Sequence, residues 1–193
     1  STTLANVDYL EVGGTVATAF AGVGGIGFEL TGVAFGMLLV SDTKGTTETT
    51  DDINYAALKV DVTSAELVGI AGLTATVTSL SVVVNQTSDT DNPNKVLDFV
   101  NTDEGSNTTD TDAASREITT GPSTDPVTLD MDGDEGALLQ VMTDLTLDVF
   151  GFVSLEGSLA FKKANGSFVV TNGSVSTTLA NVDYLEVGGT VAT

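Results

Sequence analysis

The 193 residues include 27 Asp and Glu against six Lys and Arg, with no His and no Cys, for a formal net charge of −21. That balance repels nucleic-acid phosphates and anionic lipid headgroups, so neither nucleic acid nor an anionic membrane surface is an expected partner. Disulfides, Cys–zinc sites and the His- or Cys-based dyads and triads are excluded, while a hydrophobic content of 41% allows a sizeable core in one domain.

Residues 1–18, STTLANVDYLEVGGTVAT, recur without change as residues 176–193. Composition alone does not produce such a copy. It predicts a tandem array in which 1–175 is one complete repeat unit and 176–193 starts the next, each unit burying surface against its neighbours. The alternative is one domain with duplicated ends. The sequence has no initiator Met and no signal peptide, as an interior segment of a longer chain would.

From Val12 to Val40 the only charge is Glu29, which raises the question of a membrane helix. Eight glycines break the stretch and its stiff residues alternate, so it is expected to be strand. Gly22-Val-Gly24-Gly25-Ile-Gly27 matches G-x-G-x-x-G literally, but FELTGVAFGMLL follows where a dinucleotide site needs a helix. Thr, Val, Ser and Gly dominate elsewhere and no long helix-period face appears, so the fold class is all-β.

Three places change alternation phase without a loop. Phe28 and Leu30 give way across Thr31-Gly32 to Val33, Phe35, Met37 and Leu39 as the inward set. Leu58, Val60 and Val62 pass across Thr63-Ser64 to Ala65 and Leu67; Leu73, Ala75 and Val77 pass across Thr78-Ser79 to Leu80, Val82 and Val84. A one-residue slip would turn the next apolar set to solvent unless the chain bends there. Bulged corners of this kind fit an elongated β-solenoid-like or strand-bending β-sandwich repeat, with chained β-sandwich extender domains as the alternative.

Ser41–Asn54 and Asn85–Asp134 are polar, read as insertions on one side of the strand framework, with Val96–Val100 a short strand candidate and Gly105–Ala114 a surface loop. Within the second lies LDMDGDEG, whose Asp130, Asp132, Asp134 and Glu135 place carboxylates around a Gly turn as a calcium ion requires. Glu135 and Val141 occupy the positions where an EF-hand has Gly and Glu, so this is either a calcium turn of another kind or an exposed acidic turn. Asp42, Asp51, Asp52, Asp89, Asp91, Asp103, Glu104, Asp110 and Asp112 could complete a shell. The clearest ladder runs from Leu145 to Phe161, its odd positions apolar and both faces covered near Phe150 and Phe152. Asn85, Asn107, Asn165 and Asn172 head formal glycosylation sequons, and Asn165-Gly and Asn172-Gly read better as tight turns. A carboxylate pair could still hydrolyse glycosides, and a lyase would want calcium with a base, yet the sole Arg is Arg116 in a loop. No catalytic residue is nominated and the chain is not expected to be an enzyme.

Asn54–Gln86 (NYAALKVDVTSAELVGIAGLTATVTSLSVVVNQ), Leu147–Lys163 (LDVFGFVSLEGSLAFKK) and Phe28–Val40 (FELTGVAFGMLLV) resemble repeats of giant tandem-repeat bacterial surface proteins of the LEPR-XLL and adhesin-like types. The LEPR-XLL signature itself is absent. The resemblance implies secretion, a cell-surface or matrix location and a structural, adhesive or spacer role, with calcium frequent and no catalytic residues to carry over. The expected function is therefore a structural repeat of an extracellular filament, stalk or adhesin, its partners neighbouring copies of itself. The alternative is a module that binds surface polysaccharide through the 41–54 and 85–134 insertions.

Overall fold

The computed structural model describes residue 4, residues 7–100 and residues 114–192 of the chain. It is all-β: β1 (Val7–Val23), β2 (Ile26–Asp42), β3 (Ile53–Val68), β4 (Leu73–Thr87), β5 (Arg116–Ile118), β6 (Val127–Leu129), β7 (Leu138–Val149), β8 (Val153–Thr171) and β9 (Ser176–Ala192). Seven form one antiparallel sheet in the order β1-β2-β3-β4-β7-β8-β9, and β5 and β6 form a separate two-stranded ribbon. Each strand of this sheet runs antiparallel to its neighbours, so the sheet is an open meander and not a closed solenoid, whose rungs stack parallel: turns of two to four residues join β1–β2, β3–β4, β7–β8 and β8–β9, residues 43–52 join β2–β3, and residues 88–137, with β5 and β6, join β4–β7.

The β1–β2, β3–β4 and β7–β8 turns lie at one end of the sheet and the β8–β9 turn at the other. Gly24 and Gly25, at φ +64° and +81°, link Val23 to Ile26, which is the conformation a two-residue hairpin demands. The G-x-G-x-x-G match is thus a hairpin. The Leu145–Phe161 ladder is also a hairpin, turning through Phe150-Gly151-Phe152 between Val149 and Val153. An odd-numbered turn preserves parity, so alternation alone reads through it. Both Phe side chains are exposed, Phe152 at 91%, where the sequence led us to expect burial. Asn172-Gly173 forms the β8–β9 turn, with Asn172 Oδ1 accepting from the N–H groups of Ser174 and Val175, each at 3.0 Å. Asn165-Gly166 instead lies inside β8, beside a register shift.

The three phase slips align in one row across the sheet: Thr31 pairs Ser64, and Ser64 pairs Thr78. Gly32 and Ser79 adopt left-handed φ of 63° and 53° in that row. β7 has no slip and pairs with β8 without any shift, so the β4–β7 register moves by one residue between Thr78 and Ser81. β7 therefore reports the outcome. Leu145 opposes Val77 above the row, Val141 and Leu139 oppose Val82 and Val84 below it, and all three β7 residues share one face. The slips keep a single apolar face continuous from Phe28 to Leu39, from Leu67 to Leu58, and from Leu73 to Val84.

The buried cluster lies on the opposite face, near the end where β1 begins. There the chain between β4 and β7 folds back over the sheet, and Phe99, Ile118, Leu129 and Met131 pack on Leu38, Val40, Tyr55, Ala57, Val83, Leu138 and Ala164. In β2 the buried set is thus Gly36, Leu38, Val40 and Asp42, the alternate set to the one expected. Val33, Phe35 and Met37 are half-buried on the open face, and Leu39 is exposed. Much of the 85–134 segment is consequently core and not a projecting insertion. Val96–Val100 is not a strand; Phe99 N–H reaches Met131 O at 3.0 Å as a single tether. The residues around the predicted 105–114 loop, including Asp103, Glu104, Asn107, Asp110 and Asp112, lie outside the described residues.

Glycine sets how close the covering layer comes. Gly13 and Gly36 are cross-strand partners. A Cβ on Gly36 would sit 3.0 Å from Ile118 and Val127, and one on Gly13 would sit 2.4 Å from Thr119 O and 2.9 Å from Ile118 Cγ2. The missing side chains make the trough into which Ile118, 1% exposed, descends.

Candidate functional site

The features with chemical consequence are the two sheet edges and the surfaces beside them. β1 and β9 hold the duplicated sequence and occupy opposite edges. Because they are the same peptide, they show what one sequence does with a neighbour on either side.

At the β1 edge, Glu11 forms an ion pair with Arg116, whose guanidinium also lies over the Tyr9 ring at 5.0 Å from its centroid. That pairing, Glu11 foremost, holds Arg116 above its already high ordinary pKa. The ribbon strand β5 is thereby fastened to β1, and Ile118 two residues on drops into the Gly13–Gly36 trough. At the β9 edge the copied residues meet β8 instead. Asn165 Nδ2 donates to Asp183 Oδ1 at 3.0 Å, Phe168 stacks edge-on against Tyr184 at 5.2 Å, and Lys162 lies opposite Glu186. Burial alone would depress Lys162, yet its hydrogen bond to Glu135 and the charges of Glu135, Tyr184 and Glu186 hold it above the ordinary lysine value.

The acidic turn is placed as follows. Gly133–Glu135 is one turn of 3-10 helix capped by Asp132, whose Oδ1 accepts from Asp134 N–H at 2.9 Å. Asp130 pairs with Lys59 at 2.9 Å and Glu135 pairs with Lys162, so two of the four expected ligands are turned onto lysines of the sheet. Among the described residues no group of three or more His, Cys, Asp or Glu converges as a metal would need. Asp42 instead binds Lys44 at 2.8 Å, and Asp89 accepts from Asn92. Lys59 and Lys162 were the missing signal: the partners of Asp130 and Glu135 lie far away in sequence.

Beside β8 and β9 a cleft of about 980 Å³ has a mixed lining, with Asp91, Asn92, Lys95 and Asp183 beside Leu138 and Leu139. The opposite sheet face carries Leu10, Val16, Val23, Ile26, Phe28, Leu39, Leu139, Leu155, Leu159, Leu185, Val187 and Val191, all exposed. An apolar expanse of that extent marks an interaction surface. No helix of the described chain is long and apolar enough to cross a membrane.

No protein-family model, curated protein or solved structure matches this chain.

Proposed function

We propose that the chain is a structural repeat of an extracellular filament, stalk or adhesin, built to join end to end with copies of itself. The observation that carries this reading is the placement of one duplicated sequence at both open edges of a single sheet. An open edge presents unpaired N–H and C=O groups and invites another strand. The wide apolar face supports the same reading, since a unit with so much uncovered surface is suited to assembly. The resemblance to giant tandem-repeat surface proteins and the acidic surface agree with an external location.

Imaging native or recombinant arrays tests it. Six strand steps separate β1 from β9, and at about 4.8 Å per step the unit advances roughly 29 Å along the sheet. We expect an axial spacing near that value; compact beads on flexible connectors would count against a stiff filament.

Polysaccharide binding is the second reading, and the cleft along Asp91–Lys95, which sets amides and charges beside apolar surface, is what favours it. A glycan pull-down that survives Asn92→Ala with Asn94→Ala would remove the cleft from consideration. Calcium at Asp130, Asp132, Asp134 and Glu135 would have to compete with Lys59 and Lys162 for two of its ligands. A fall in Tm on chelation supports calcium there, and an unchanged Tm leaves an acidic turn held by two lysines.

A further inference from the structure

We infer that β9 is at once the last strand of its own unit and the β1 of the next copy, so that β8 of one copy and β2 of the next lie along its two edges in one uninterrupted sheet. This rests on the end-to-end reading above and specifies its joint.

One strand can hold both offices only if it satisfies three geometric conditions. It must run in the same direction in both, turn the same residues to the same face, and offer opposite edges. Direction is met because six antiparallel steps separate β1 from β9. For the face, the row of partners runs Val12, Met37, Leu58, Val84, Leu139, Lys163, Leu185. Partners share a face, so Val12 and Leu185 do, and Val187, the copy of Val12, is two residues along on that same face. For the edge, antiparallel pairs alternate between hydrogen-bonded and non-hydrogen-bonded across each successive strand. The first and sixth pairs of that row are then of opposite type. Position 12/187 therefore uses one edge toward β2 and the other toward β8, as an interior strand does. The offset of two residues per unit, about 7 Å, is far below the stagger that closes a barrel, so successive units extend as a ribbon.

The side chains at the two edges are complementary halves. Tyr9 and Glu11 have Arg116 and the ribbon on one side; their copies Tyr184 and Glu186 have Phe168 and Lys162 on the other. Joined, each would gain the partner its counterpart already shows, with the Glu held between Lys162 of one copy and Arg116 of the next. Gly188 makes the same point sterically. Its counterpart Gly13 is pressed by Thr119 and Ile118, whereas a Cβ on Gly188 would meet none of the described residues within 4 Å. The trough is cut in β9, and the layer that fills it belongs to the next copy.

The test compares the 193-residue chain with a two-unit chain, residues 1–175 followed by 1–193. In the single chain Gly188→Ala is expected to leave Tm within about 1 °C, while Gly13→Ala lowers it by several degrees. In the two-unit chain Gly188→Ala should lower the melting of the second unit as Gly13→Ala does in the first; no added loss relative to the single chain overturns the inference. Amide exchange on the unsubstituted chains gives an independent reading. Across Val182–Val191 we expect protection at alternate residues in the single chain and at every residue in the two-unit chain. Alternation that persists in the two-unit chain also overturns the shared strand. That result would leave an array with loose joints possible, whereas full protection without any filament on imaging would remove the array's role and keep the joint.

Discussion

Ser79 stands in the left-handed region at φ +53°, within the row where the sheet changes phase. A non-glycine residue there carries roughly 1 kcal/mol of strain or more. Ser79→Gly should therefore raise stability by about 0.5–1 kcal/mol in urea unfolding, and Ser79→Val should lower it. Three titratable residues make the pH response predictable. Burial pushes the Tyr55 phenol above its ordinary value, and Glu135 leads the contacts that hold Lys162 above its own despite burial. Raised folded-state values give stability that is whole below the unfolded pKa and fades as pH rises through the folded one. Stability should thus fall above about pH 10, and less steeply in Lys162→Met and Tyr55→Phe. Tyr55→Phe should not destabilise at pH 7, because the buried hydroxyl has no hydrogen-bond partner among the described residues. Asp42 behaves oppositely: its hydrogen bond to the Lys44 ammonium, then that to the Lys44 backbone, lowers it from 3.8. Its contribution is present at neutral pH and is lost as pH falls below about 4, which Asp42→Asn should blunt in an acid titration monitored by circular dichroism.

Among the elements, the β5–β6 ribbon packs on the sheet end where β1 begins, and among the described residues no such layer covers the other end. Gly36→Ala places a methyl 3.0 Å from both Ile118 and Val127. We expect the ribbon to be lifted, with amide exchange accelerated at Ile118 and Val127–Leu129 and little changed at Leu147–Leu155, whose partners lie beyond the bulge row. Equal acceleration at both places would mean that the two ends unfold together. The row itself is a product of paired irregularities: β2, β3 and β4 slip in step, and the mismatch is taken up once, where β4 meets the straight β7.

For the molecule as a whole, a net charge of −21 repels itself in the folded state more than in the expanded chain. The ion pairs of Lys44, Lys59, Arg116 and Lys162 weaken as salt is added, but far more carboxylates than cations remain to be screened. Tm should therefore rise between about 0.01 M and 0.5 M NaCl; a fall would show that the ion pairs outweigh the repulsion. A continuous ribbon of units would also leave the apolar face unbroken from copy to copy, because every unit turns the same side of its strands the same way.

The sequence by itself determined the all-β class, the bulge row at Thr31-Gly32, Thr63-Ser64 and Thr78-Ser79, and the equivalence of the two ends. Alternation of side chains and an identical peptide are local facts, and they survive whatever the chain packs against. Tertiary structure decided which face is covered. Leu38 and Val40 are buried, and Met37 and Leu39 are not, because the chain returning after β4 lays Phe99, Ile118, Leu129 and Met131 on one side only. It also decided that the Leu145–Phe161 ladder is a hairpin, that the Asp130–Glu135 carboxylates lean on Lys59 and Lys162, and that β1 and β9 take opposite edges. Each depends on residues many positions apart coming within a few ångströms, and no local period carries that information.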